Sequence, residues 1–234
     1  NYKSTIAENA ASFKFKHFSV MGNHDNDGAT PCDANTDYLA ATAYRTNMGP
    51  NYYSFNMGKI HYIVFDDIVY INSGEPDAGG CVGSRNYSTY ITDQQLDWIE
   101  KDLSYVSKDK TIFLCTHCPL WGLDAAFNPY VNLSQNSTQK LCNLVKDYKA
   151  VHILTGHRHN TYNMEPTNYG YDNIYEHNIG AVGGNLWWAG YYGGHPNCND
   201  GTPGGWQVFY INGDDVSSSK SRNRLNGFLG RFNY

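Results

Sequence analysis

The sequence predicts a layered α/β domain. Short apolar or alternating runs mark strands, amphipathic patterns between them mark helices, and hairpin-length turns recur outside the middle of the chain. Strand–helix alternation confined to the middle fits a layered sheet-and-helix domain better than a pure doubly wound sheet.

Taken in order, strands are expected at 13–21, 52–56, 60–66, 111–116, 151–155, 174–182 and 206–211. Met57-Gly58-Lys59 joins the second and third as a hairpin-length turn. The clearest helix starts at Thr92, where Thr92-Asp93-Gln94-Gln95 reads as a capping box. Its apolar residues Leu96, Ile99, Leu103 and Val106 recur at three-and-four spacing, so one face is buried. A second helix is expected over 134–148, with Leu141, Leu144 and Val145 inward, and a third over 36–46. From Gly183 to Gly205 the chain is rich in Gly, Trp, Tyr and Asn without a period, as in a functional loop. The polar tail from Ser217 reads as a linker or the start of an accessory domain, which leaves a principal domain over 1–216 and a remainder over 217–234.

The 234 residues suffice for one substantial core. A net charge of -5 gives no general basic field for nucleic acid or acidic lipid, so an anionic substrate needs a local cation such as a metal. No run approaches the ~20 apolar residues of a membrane span. Cys32, Cys81 and Cys198 lie in Gly/Pro/Asp-rich loops where a disulfide would be useful, which favours an exported protein.

Three clusters share one design, a short apolar strand that ends in metal-type ligands. They are "FSVMGNHD" with Asn23, His24 and Asp25, "IFLCTHCP" with His117, and "VHILTGHRH" with His157 and His159. In an open layered sheet the carboxyl ends of adjacent strands converge on one crevice, so these residues are expected to meet at one rim. Imidazole nitrogen and amide oxygen suit Zn, Mn or Fe, given carboxylates to complete the charge.

With Gly-Asn-His-Asp, a later His and Gly-His-x-His in this order, the chain resembles the calcineurin-like metallophosphoesterases. Further matches are "GPNYYSFNMGKIHYIVFDD" (49–67), "TDQQLDWIEKDL" (92–103) and "THCPLW" (116–121). The stretch from "GGNLWWAGYYGG" to "WQVFYINGDD" is similar to an exported bacterial subgroup that carries accessory domains on both sides. The resemblance covers nearly all of the chain, from Val20 towards Asp215.

The resemblance implies a four-layer α-β-β-α sandwich with mixed sheets. It implies metal-dependent hydrolysis of a small-molecule, lipid or sugar phosphoester by a hydroxide held between two ions of Mn, Fe or Zn. Asn23, His117 and His157 would hold one metal, and His159 would reach the other. His24 would face the scissile phosphate and help protonate the leaving oxygen, with Asp25 orienting it.

The family also carries Asp-x-His and Gly-Asp-x-x-Asp/Tyr/Asn ahead of these motifs, the second supplying a carboxylate that bridges the metals. No Asp occurs among the 22 residues before Asn23. The expectation is therefore an N-terminally truncated chain that lacks the first strand-helix-strand unit, binds metal weakly and hydrolyses little by itself.

Two other readings stand beside this one. A thiol-disulfide oxidoreductase is suggested by Cys115-Thr116-His117-Cys118, although Pro-Leu-Trp-Gly is a poor helix start after it. A non-catalytic exported binding module would use the loop at 183–206, with Trp187, Trp188 and His195 as a pocket wall. Asp66, Asp67, His61 and His152 are expected to be structural, and Arg158 to be exposed.

Overall fold

A computed structural model describes residues 8, 11–30, 35–71, 87–124, 128–184, 190–192, 195–223 and 230–232. Two short helices, α1 (Thr36–Ala40) and α2 (Thr42–Met48), occupy the expected 36–46 region with a break at Ala41. A hairpin follows, β1 (Tyr53–Met57) and β2 (Ile60–Val64), turning at Gly58 with φ 61°. β3 (Ile68–Tyr70) and β4 (Tyr87–Thr89) make a small antiparallel pair, and α3 (Asp93–Leu103) follows at once. β5 (Thr111–Cys115) leads to a second small hairpin, β6 (Trp121–Leu123) with β7 (Pro129–Val131), and then to α4 (Gln135–Val145). β8 (Ala150–Thr155), β9 (Tyr162–Met164) and β10 (Ile174–Asn178) precede two short paired strands, β11 (Tyr191–Tyr192) and β12 (His195–Pro196). β13 (Gly205–Asn212), β14 (Asp215–Asn223) and β15 (Gly230–Phe232) end the described chain.

The principal sheet runs β1-β2-β5-β8-β10-β9. Its four inner strands are parallel, and the two edge strands are antiparallel to their neighbours. It is a mixed sheet in an α/β fold, as the sequence predicts. All five residues of β2 are buried, as suits a parallel strand covered on both faces. One face packs Ile63, Ile112, Leu114, Val151 and Ile153 against Leu96, Ile99 and Leu103 of α3 and Leu141 and Val145 of α4. The other face presents Ile60, Tyr62 and Phe113, and Phe113 and His177 meet the ring of Phe209 on β13 edge-on. Lys149 and Thr111 tie the β13–β14 turn to the sheet through Asp214 and Asp215. The described layers are therefore helices, principal sheet and second sheet.

Several boundaries differ from expectation. The run 13–21 forms no strand: its phenylalanines are largely exposed, and its tie to β1 is made by side chains. Phe18 stacks on Phe55 with ring centroids 3.7 Å apart, and the Tyr53 hydroxyl donates to Ser19 O at 2.9 Å. β10 stops at Asn178, whose amide turns to Asn160. Residues 217–223 lie within β14, paired with β13 despite their polar composition.

Thr92 caps α3 by accepting from the Gln95 amide. The side chain of Gln95 does not close the box. Instead it exchanges two hydrogen bonds with the backbone of Asp66, at 2.9 and 2.8 Å, and so fixes the exit of β2.

Candidate metal centre

The parallel strands β2, β5, β8 and β10 end at one rim, and the loops beyond them carry the expected ligands. His117 lies two residues past β5, and His157 and His159 follow β8. Backbone bonds lock these loops together: Thr116 N donates to Leu154 O at 3.1 Å and Gly156 N to His117 O at 2.9 Å. Asn23 arrives on a 3-10 turn, Asn23–Asp25, closed by Gly22 N donating to Asp25 Oδ2 at 2.8 Å. Gly22 has to be glycine, because a Cβ there would lie 2.9 Å from two atoms of the His117 ring.

These elements bring Asn23 Oδ1 and His157 Nδ1 to the Nε2 atom of His117. Nε2 of His117 stands 2.9 Å from Asn23 Oδ1 and 3.0 Å from Nδ1 of His157. One imidazole proton cannot serve both contacts well, so the cluster is better matched to a shared cation. Ligands about 2.1 Å from a common ion and at right angles are about 3.0 Å apart, which is the spacing found. His157 and His159 adopt φ of 62° and 53°, left-handed values that aim both side chains out of a tight turn. Such backbone costs about 1–3 kcal/mol per residue and tends to persist at functional sites.

The electrostatics favour neutral ligands. Burial, with His157, His24 and His159 nearby, pushes His117 down to about 3. Burial and the charge of Arg158 take His157 down to about 4. Burial lowers His159 as well, and its Nδ1 is enclosed without a hydrogen-bond partner among the described residues. His24 is exposed at the rim, close enough to act on all three of these imidazoles. Asn23, His117 and His157 thus form one cluster, with His159 and His24 around it. Among the described residues no three His, Cys, Asp or Glu side chains group at metal-binding separation, so the cluster depends on the amide of Asn23. Its donor set fits a borderline transition metal but supplies no charge.

Carboxylates occur behind the cluster. Asp66 accepts from Ile68 N at 3.0 Å and from the Asn51 side chain at 2.9 Å, a turn-fixing role as expected. Asp67 accepts from Cys118 N at 2.8 Å. Glu176 accepts from Leu120 N at 2.7 Å and Trp121 N at 3.0 Å. Burial pushes Asp67 and Glu176 up to about 8. Glu176 carries no sequence signal, because one acidic residue in an otherwise ordinary strand shows neither its burial nor its partners.

Cys115 and Cys118 open no helix, and burial pushes both thiols up, Cys115 to about 12, which is opposite to a redox-active pair. His61 and His152 are buried and hydrogen-bonded, to Asp102 and His177. Arg158 is exposed and donates to Tyr130 and Asn132. Cys198 forms no disulfide among the described residues; Cys32, Cys81, Trp187 and Trp188 lie outside them, as does the side chain of His195.

The family model for calcineurin-like phosphoesterases matches residues 2–161, well over half of the chain. The chain belongs to that family. Among solved structures, a purple acid phosphatase from yellow lupin (Lupinus luteus) seeds is similar at a TM-score of 0.55 and 16% identity. The alignment covers 91% of this chain and 39% of that one, so this calcineurin-like chain spans well under half of the phosphatase chain. At that identity the likeness shows a shared fold. No relative was found among curated sequences.

Proposed function

We propose that this calcineurin-like chain carries the histidine side of a metal centre that hydrolyses phosphoesters. The observation that carries the reading is that Asn23 Oδ1 and His157 Nδ1, from two separate segments, both lie within 3.0 Å of His117 Nε2 on a third. Asn23, His117 and His157 would hold one ion, of Mn, Fe or Zn, and His159 would contribute to a second. When bound, such ions supply an activated water and offset charge that develops on phosphorus.

The other steps fall to the chain's own residues. His24, exposed beside the cluster, meets a phosphate oxygen from solvent and gives a proton to the leaving oxygen. Asp25 holds the 3-10 turn that presents His24 by accepting the Gly22 amide. The substrate class is a small phosphoester, including lipid and sugar phosphates that can enter an open rim. Neutral ligands leave a dication uncompensated, so the 234-residue chain is expected to bind metal weakly and turn over slowly.

Titration of the chain with Mn(II) and Zn(II) by calorimetry, beside p-nitrophenyl phosphate hydrolysis, tests this. Binding and turnover should both fall in His117→Ala and His157→Ala. Metal binding unchanged in both variants, or hydrolysis that survives a chelator, would refute the reading.

A further inference from the structure

The loop from His117 to Trp121 is held by two buried carboxyl groups that come from either side of β5. Asp67 follows β2, on one side of β5, while Glu176 belongs to β10, on the other side. Every backbone amide from Cys118 to Trp121 that has a proton donates to one of them: Cys118 to Asp67, and Leu120 and Trp121 to Glu176. The gap, Pro119, has no amide proton. Both carboxylates are 0% exposed.

Burying two carboxyl groups is costly in the absence of compensation, and apolar side chains would fill the same space without that cost. In such a low-dielectric surround, amide bonds that satisfy a buried carboxyl group are strong and fix geometry tightly. The segment they fix begins at the residue whose Nε2 is shared between Asn23 and His157. Its carbonyl side is also engaged: Leu120 O accepts from Asn132 and Leu133, and His117 O from Gly156.

We propose that Asp67 and Glu176 are positioning residues that act through the amides of 118–121 to set the place of His117, and that they thereby tune metal affinity. This rests on the reading of Asn23, His117 and His157 as metal ligands. Neither carboxylate touches metal or substrate in this scheme.

Glu176→Gln turns an NH2 towards one of the two amides that its oxygens accept from, and Asp67→Leu, similar in shape, leaves Cys118 N without its acceptor. Two measurements separate positioning from general destabilisation. In the metal-free protein, imidazole 1H–15N correlations should show His117 displaced in either variant while His61, on the far part of β2, stays in place. In Co(II) titrations followed by visible absorption, the dissociation constant should rise about 10–100-fold, as for other residues that orient a ligand. In a His117→Ala background the same substitutions should leave Co(II) binding unchanged.

An unmoved His117 resonance in both folded variants would overturn the proposal, as would an undiminished loss in the His117→Ala background. If one variant fails to fold, the other contacts the same loop and decides the matter. Absence of Co(II) binding by the unsubstituted chain would count against the metal reading, while the metal-free resonances would still decide whether the carboxylates position His117.

Discussion

Nδ1 of His157 lies 3.0 Å from Nε2 of His117, and the amide oxygen of Asn23 lies 2.9 Å from that same Nε2. Removing either imidazole removes one donor atom of the proposed ion. His117→Ala and His157→Ala should each weaken first-metal binding beyond the ~100-fold ceiling typical of residues that only orient a ligand. Calorimetric titration with Mn(II) checks this.

His24 occupies a different place. It is exposed, and the scheme gives it substrate rather than metal. His24→Ala should leave Mn(II) affinity within a factor of about two and lower kcat by about 10²–10⁴, the usual range for a lost general acid. Steady-state kinetics at saturating metal decide between the roles.

Gly22 supports His117 from below. An added Cβ would sit 2.9 Å from its Cε1 and Nδ1, so the ring must shift. Gly22→Ala should destabilise the fold by about 1–3 kcal/mol, as overpacking does, and weaken metal binding in parallel. Urea unfolding without metal, set beside titration with it, separates the two effects.

A second histidine pair answers to pH instead. His177 Nδ1 is 3.0 Å from Asn163 Oδ1, and its Nε2 is 3.1 Å from His152 Nδ1. An amide oxygen can only accept, so His177 donates through Nδ1 and accepts from His152, and both rings are neutral. Burial holds His152 down to about 4 and His177 to about 3. Each folded value is below the unfolded one near 6.5, so below that pH the unfolded chain binds more protons. Stability from this pair is full above about 6.5 and is lost as pH falls towards 3–4, by about 3 kcal/mol for His152 alone. Imidazole NMR at pH 5 should find both rings uncharged.

The cap of α3 allows a stability check away from the site. Thr92 Oγ1 accepts from the Gln95 amide, so Thr92→Ala should cost about 1 kcal/mol in chemical denaturation and leave metal binding unchanged.

How much of this was legible in the sequence depended on whether the signal was local. Helix α3 was, because its cap and its three-and-four apolar spacing lie within a dozen residues. The inner strands were, because parallel strands buried on both faces read as apolar runs. The run 13–21 alternates well enough to read as a strand, yet pairing requires a neighbour, and alternation does not supply one. β14 shows the reverse: its serines and lysine read as linker, but ladder bonds to β13 do not depend on side-chain polarity.

For the site, sequence by itself determined the candidate ligand residues, their order, and the position of His117, His157 and His159 after strands. Those are properties of short motifs, and the motif Gly-Asn-His-Asp also fixed the glycine that His117 needs. Only the tertiary structure decided that Asn23 and His157 both meet Nε2 of His117, because 94 residues separate Asn23 from His117 and only the sheet order brings them together. It also decided that Glu176 and Asp67 hold the His117 loop, since a buried carboxylate is defined by the amides it meets and not by its neighbours in sequence.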